Sequence, residues 1–330
     1  MRYVTCADER VSVIGVGTWR FTSGQRGRGA GSQAFEAGRI IQRALDLGVN
    51  LIDTAASYGD GCSERIVGRA IRSRRADAFI ATKFMPIAPF PPIVARQGRA
   101  SRRRLGIEAI DLFQIHRPNP RVPLRVQVAD LRRLKASGVV RHIGVSNYSL
   151  ESWQAAERAL GAPIISNQVA YNLIAQGADQ DLIRWAAAHD RIVIAHTPLS
   201  QGLLSAREDD ARVPVDSRAK DPWCRSENHR IAISLIESLR EIATAHGATP
   251  AQIALAWVVT PPNVVAIPGA TSVSQVEENV GAADIVLTDE EYDTLRSAGA
   301  AFRQDAAPPS DSPRLIQRAE HLGSLIRTLW

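Results

Sequence analysis

Lysine is nearly absent from this chain: Lys83, Lys135 and Lys220 are the only three among 40 cationic residues. Cysteine is as scarce, and Cys6, Cys62 and Cys224 are odd in number and far apart. They form no CxxC pair, which excludes a disulfide scaffold and a thiolate zinc finger and predicts a reducing, cytoplasmic setting. No apolar run approaches the roughly 18 residues that cross a bilayer, and no charged-then-apolar secretory segment opens the sequence, so no membrane partner is expected. Carboxylates number 34 against 40 cations, a difference of +6. With no basic helix-fork beside that mild excess, nucleic-acid binding is not expected either. No internal repeat of 20–50 residues is present.

What is present is alternation. Short apolar runs rich in β-branched residues lie at 13–17, 50–53, 79–83, 111–116, 140–145, 164–169, 192–195 and 264–268. Helix-period stretches separate them at 33–47, 63–72, 93–105, 124–137, 150–160, 179–189 and 228–246, with a further one at 249–259. Runs of about five residues, apolar on both faces, suit parallel strands covered by helices. Eight such strands with no linker-length interruption predict an α/β fold, a single-domain (β/α)8 TIM barrel over residues 1–330, with 300–330 as a C-terminal loop and helix extension. The runner-up, a doubly wound sheet, opens with GxGxxG; Gly15-Val16-Gly17 supplies the first two glycines and lacks the third. Gly24, Gly27, Gly29 and Gly31 mark a loop after it.

Barrel enzymes act at the C-terminal ends of their strands. Those ends carry Asp53 with Tyr58, Lys83, His116, Ser146-Asn147, Asn167-Gln168 and His196-Thr197. Each has a bland alternative: Asp53 as a helix cap, Tyr58 as a turn aromatic, His116 as a core histidine, Lys83 as a snorkelling cation. Together they describe proton delivery. A tyrosine hydroxyl has a reference pKa of about 10, and a nearby ammonium stabilises its anion. A carboxylate would hold the lysine, and an imidazole would donate to a carbonyl oxygen. Neither a Ser-His-Asp order, nor HExxH, nor a cysteine-rich metal site is present, so a hydride-donating cofactor would complete the set.

The sequence resembles the aldo-keto reductases from about residue 11 to 296. The motifs are Leu51-Ile52-Asp53-Thr54-Ala55-Ala56-Ser57-Tyr58-Gly59, Ser63-Glu64 with Gly68, Ala81-Thr82-Lys83, Asp111-Leu112-Phe113-Gln114-Ile115-His116 and Ile143-Gly144-Val145-Ser146-Asn147. They continue with Asn167-Gln168-Val169, Tyr171-Asn172, Pro198-Leu199, Gln201-Gly202-Leu203-Leu204, Ile267-Pro268-Gly269-Ala270 and Glu278-Asn279. The resemblance implies a barrel binding NADPH along its rim and reducing an aldehyde or ketone. It implies Tyr58 as general acid, Lys83 as its partner cation, Asp53 paired with Lys83, and His116 orienting the substrate carbonyl. Ser146, Asn147 and Gln168 would hold the nicotinamide carboxamide, and Gly17, Thr18 and Trp19 the first-loop contacts. Thr197, Pro198, Leu199, Gln201 and Gly202 fall where the pyrophosphate is wrapped.

Three departures from the family pattern matter. His196 stands where an aromatic ring usually stacks on the nicotinamide, and a protonated imidazole would repel the oxidised form. Arg207 keeps a cation where many members carry a phosphate-contacting lysine. After Pro268, the chain offers Gly269, Thr271 and Gln275, then Glu278 and Asn279, with no cation for the 2′-phosphate. That pattern resembles the potassium-channel β-subunit branch, where hydroxyl, amide and a helix N-terminus carry the phosphate and Arg218 matches a further basic contact. NADPH is therefore expected, with NADH measurably used. The segments 86–99 and 117–121 suit a polar ligand with an apolar portion, such as a keto-sugar or natural-product carbonyl. Two alternatives stay open: a cofactor-sensing regulatory subunit with little turnover, and a Schiff-base aldolase using Lys83 as nucleophile.

Overall fold

In the computed structural model, residues 1–22, 30–86, 92–177, 180–205, 226–300 and 302 are described. Gly24, Gly27, Gly29, Arg207, Arg218, Lys220, Cys224 and the segment 303–330 lie outside them. An antiparallel hairpin comes first, β1 (Tyr3–Cys6) and β2 (Glu9–Ser12). Eight parallel strands follow: β3 (Val16–Gly17), β4 (Leu51–Asp53), β5 (Phe79–Phe84), β6 (Ile110–Ile115), β7 (Val140–Ser146), β8 (Ser166–Ala170), β9 (Ile192–His196) and β10 (Val264–Ala266). Each pairs with the next in chain order.

The sheet closes on itself. Gly15 N donates to Ala266 O at 2.7 Å, Ala266 N to Val13 O at 2.8 Å, and Gly17 N to Pro268 O at 3.0 Å, joining the first strand to the last. Closure removes both edges, and the chain is a (β/α)8 barrel rather than a doubly wound open sheet. The two glycines of the incomplete GxGxxG serve this seam. A Cβ on Gly17 would lie 2.7 Å from Ile267 O across the seam, and one on Gly15, whose amide bonds across it, would lie 2.8 Å from Leu51 O of β4 on the other side.

The surrounding helices are α1 (Ala30–Asp46), α2 (Cys62–Ala70), α3 (Pro92–Leu105), α4 (Leu124–Ala136), α5 (Leu150–Leu160), α6 (Gln180–Ala188), α7 (Ser226–Ala245), α8 (Pro250–Val258), α9 (Val273–Gly281) and α10 (Asp289–Ala300). Local chemistry fixes several starts. Ser149 caps α5 by accepting from Ser152 N, and Ser272 caps α9 by accepting from Gln275 N. Thr249 and Gln252 form a reciprocal capping box at α8, with Pro250 in its first turn. Helix α8 is buried almost throughout, and Trp257 lies stacked between Tyr171 and Tyr292 at ring separations of 5.3 and 5.2 Å. Phe84 and Phe113 stack at 4.7 Å on neighbouring strands.

Three elements were not among the expected ones: the β1–β2 hairpin, α9 and α10. The hairpin covers the N-terminal end of the barrel, opposite the catalytic rim. Cys6 Sγ contacts Asp190 O at 3.2 Å just before β9, and Glu9 meets His142 at 3.1 Å on β7. Burial raises the Cys6 thiol to about 11, so the thiol stays protonated there. Among the described residues no helix is long and apolar enough to cross a membrane, and no His/Cys/Asp/Glu cluster could hold a metal ion.

Candidate active site

Apolar strand bodies end in polar side chains at one rim, and the parallel register brings those ends together. Asp53 closes β4, Ser146 closes β7, His196 closes β9, and His116 follows β6 directly. Lys83 is the penultimate residue of β5 and Gln168 the central residue of β8. Tyr58 sits on the loop between β4 and α2. That loop turns through Gly59, Asp60 and Gly61, all with φ between 51° and 77°, a left-handed run in which two of three residues are glycine. The Tyr58 amide donates to Ala55 O and its carbonyl accepts from Ser63 N, so backbone bonds fix the turn.

Lys83 is the centre of the cluster. Its Nζ donates to Asp53 Oδ2 at 2.6 Å, to Thr54 O at 3.0 Å and to the Tyr58 hydroxyl at 3.3 Å. The Lys83 and Asp53 side chains are 0% and 2% exposed. Burial pushes the Lys83 ammonium down, but the Asp53 carboxylate and the Tyr58 oxygen outweigh it and leave Lys83 above the ordinary lysine range. Burial pushes Asp53 up, opposed by the Lys83 charge and by hydrogen bonds from Lys83 and Gln168. Gln168 Nε2 donates to Asp53 Oδ1 at 2.8 Å. The result is a charged ammonium with every hydrogen committed, one of them to the tyrosine.

His116 lies edge-on to Tyr58, with ring centres 5.9 Å apart and planes at 78°. Its Nδ1 is 3.4 Å from Ser57 Oγ. Burial, then the charges of Lys83 and Arg117, lower His116 to about 3. The same causes lower His196 to about 4. Both imidazoles are neutral at pH 7, so His196 brings no positive charge to the rim.

The remaining candidates form a second, continuous network. Ser146 Oγ donates to Gln168 O at 2.8 Å, and Asn147 Nδ2 reaches Ser146 Oγ at 3.0 Å and His116 O at 3.1 Å. His196 bridges Asn147 and Thr197. Thr18 N donates to Asp53 O, and Thr18 Oγ1 lies 2.7 Å from Ser63 Oγ, while Trp19 is half exposed beside it. Pro198 is buried, and Ser200, Gln201 and Gly202 follow in left-handed conformations, with Arg20 reaching Gln201 O at 3.4 Å. Gly269 pairs with Gly17 across the seam. Farther round, Thr271 donates through both its amide and its hydroxyl to Gln275 Oε1 at 2.8 and 3.1 Å. Glu278 O accepts from Gln252, and Asn279 is buried in α9.

Comparison with known proteins gives a uniform answer. A profile of the Aldo/keto reductase family matches residues 13–300. The chain belongs to the aldo/keto reductase family. An uncharacterized oxidoreductase of Mycobacterium tuberculosis is 47% identical over 294 residues, covering 89% of this chain and 91% of that protein. A probable voltage-gated potassium channel subunit beta of Arabidopsis thaliana is 30% identical over 298 residues, covering 84% and 89%. Among solved structures, an aldo/keto reductase from Klebsiella pneumoniae in complex with NADP and acetate superposes with TM-score 0.73 at 30% identity, over 92% of this chain and 98% of that one. A glycerol dehydrogenase from Gluconobacter oxydans gives TM-score 0.82 at 29% identity, over 93% and 98%. As an aldo/keto reductase, the chain is an oxidoreductase of a family that uses nicotinamide cofactors.

The donor set fits such a cofactor. A carboxamide needs both donors and acceptors, and the Ser146 hydroxyl and the Asn147 and Gln168 amides lie together in one network at the rim. Ser200 Oγ is buried without a hydrogen-bond partner in the left-handed turn, an unused donor where a phosphate oxygen would be accepted. Sequence reasoning quoted Thr54 within a motif and gave it no role; it acts through its carbonyl, a group every residue type carries. Asn172 and Glu64 were likewise motif residues without a role: Asn172 Nδ2 donates to Thr197 O at 3.0 Å, and Glu64, fully buried, accepts from Thr82 Oγ1 at 2.7 Å and Arg104 at 2.5 Å. Thr82 precedes Lys83, so the Glu64 network anchors the outer side of β5 behind the lysine.

Proposed function

We propose that this protein is an NADPH-dependent reductase of aldehydes or ketones, with Tyr58 as general acid. The observation that carries the reading is the Lys83 ammonium, buried against Asp53 and 3.3 Å from the Tyr58 hydroxyl. Bound nicotinamide would supply the hydride that a carbonyl carbon accepts. Tyr58 gives its proton to the carbonyl oxygen, and Lys83, still charged, stabilises the phenolate left behind. Asp53 keeps the ammonium in place, and Gln168 holds Asp53 from the other side. His116 is neutral; with Nδ1 accepting from Ser57, its Nε2–H donates to the same carbonyl oxygen and fixes its position. A neutral imidazole polarises the oxygen without competing for the proton that Tyr58 delivers.

Ser146, Asn147 and Gln168 would hold the carboxamide, and Gly17, Thr18, Trp19 and residues 197–202 the sugar and pyrophosphate. Thr271, Gln275 and the N-terminus of α9 would meet the 2′-phosphate, assisted by Arg207 and Arg218. A polar carbonyl with an apolar portion, such as a keto-sugar or natural-product ketone, suits the half-buried mouth, and the cytoplasm supplies NADPH. The test is to follow NADPH absorbance while screening aldehydes, ketones and keto-sugars. Turnover of at least one class, abolished in Tyr58→Phe, supports the reading; NADPH binding without turnover of any carbonyl would favour a sensing subunit instead.

A further inference from the structure

His196 replaces the aromatic ring expected at its position, and both of its ring nitrogens are engaged. Nε2 lies 3.2 Å from Asn147 Oδ1, and Nδ1 lies 3.0 Å from Thr197 Oγ1. The partners are unusual in the same way. Asn147 has φ 61° and Thr197 has φ 55°, both left-handed, and for a β-branched threonine that is a true outlier. They stand at the ends of β7 and β9, so one imidazole spans the rim across β8. Asn147 matters further because its Nδ2 reaches the His116 carbonyl and Ser146 Oγ.

The hydrogen-bond directions are consistent in one tautomer. Asn147 Nδ2 donates to His116 O, so Oδ1 is the face turned to His196 and can only accept. Nε2 must then carry the hydrogen, leaving Nδ1 to accept from the Thr197 hydroxyl. Protonating the ring would put a donor at Nδ1 and turn the Thr197 hydroxyl away. Burial first, then the charges of Lys83 and Arg117, oppose that protonation.

We infer that His196 is a positioning residue: as a neutral Nε2–H imidazole it clamps Asn147 and Thr197 in their left-handed conformations and so presets the amide that receives the nicotinamide. Thr197 is tied from behind as well, its carbonyl accepting from Asn172 Nδ2 and Ser200 N. The clamp orders the rim before the cofactor arrives, where a stacking ring would act only once it was bound. A left-handed backbone at a non-glycine residue is strained and persists only where its surroundings enforce it, and the two imidazole bonds are part of that enforcement.

The inference rests on the proposed cofactor reading, and it separates from it experimentally. Cofactor dissociation constants, read from tryptophan fluorescence without substrate, compare wild type with His196→Phe, His196→Gln and Asn147→Ala. A clamp predicts weaker binding in His196→Phe by about 3–10-fold, the scale of one net hydrogen bond. It predicts partial recovery in His196→Gln, whose amide can donate to Asn147, and no further loss when His196→Phe is added to Asn147→Ala. A stacking role predicts the opposite, equal or tighter binding in His196→Phe. Long-range 1H–15N NMR of the free wild-type protein is independent of any cofactor and of whether the variants fold. It should show His196 as the Nε2–H tautomer, not titrating between pH 5.5 and 8. An Nδ1–H tautomer, or a titration near 6.5, would overturn the clamp. If NMR shows the clamp and no nicotinamide binds, the proposed function fails and the clamp stands.

Discussion

Replacing Lys83 by Met is the substitution whose cost the structure fixes best. The change keeps most of the side-chain volume and deletes the ammonium, leaving Asp53 buried with only neutral amide donors such as Gln168 Nε2 at 2.8 Å. Removing one partner of a buried ion pair costs about 3–5 kcal/mol, because the other charge stays desolvated. Unfolding entropy of about 2.1 cal/mol/K per residue gives roughly 0.7 kcal/mol/K for a chain of 330 residues. Lys83→Met should therefore lower Tm by about 4–7 °C. Asp53→Asn added to Lys83→Met removes the stranded charge and should recover more than half of the loss, while activity stays absent. The pH dependence follows from the sign of the shift. Burial leaves Asp53 above its unfolded value even with its cation, and removing Lys83 pushes it higher still. The deficit therefore grows as pH rises from the wild-type folded value to that of the variant, and is smaller at pH 5 than at pH 8. Calorimetry at both pH values checks this. A Lys83→Met protein as stable as wild type, or a double variant no more stable than the single one, would refute the buried pair.

Two further outcomes follow. His116 and His196 sit at about 3 and about 4, below the ordinary 6.5, so the unfolded chain takes up protons that the fold refuses. Wild-type Tm should fall as pH drops from 6.5 toward 4, and a His116→Gln/His196→Gln double variant should show a shallower slope; an unchanged slope would contradict the assignment. Thr271 and Gln275 are neutral, so Gln275→Arg should tighten NADPH binding by more than NADH binding, since charge-assisted hydrogen bonds are about twice as strong as neutral ones. Wild type binding NADH more tightly than NADPH would show that the expected cofactor is wrong.

Strand ends were the legible part of this protein. Asp53, Lys83, His116, Ser146 and Gln168 each terminate or follow an apolar run, and a closed parallel barrel must gather such ends at one rim. The hairpin was not legible, because its strands are four residues long and only the first alternates exposed and buried, too short a period-2 signal. Helix α10 carries Asp289, Glu290 and Glu291 in its first turn, and that mostly polar segment has only a thin apolar stripe. Contacts through backbone, such as Lys83 to Thr54 O, leave no mark on residue identity. The His196–Asn147 contact joins residues 49 positions apart, and it depends on a left-handed backbone at Asn147 that its side chain does not require. Gly15 and Gly17 show the reverse case, where a half-motif suggestive of phosphate binding is explained by the barrel seam.

The most direct test of the account is Tyr58→Phe, followed by single-turnover kinetics and by cofactor titration. Phe keeps the ring that packs edge-on to His116 and removes only the transferable proton. NADPH binding should stay within about twofold of wild type, since the hydroxyl's net hydrogen bond is to Lys83 and not to the rim. The hydride-transfer step should slow by about 10²–10⁴-fold, the scale of general acid catalysis. A Tyr58→Phe protein that keeps more than a tenth of the wild-type single-turnover rate would contradict the central claim.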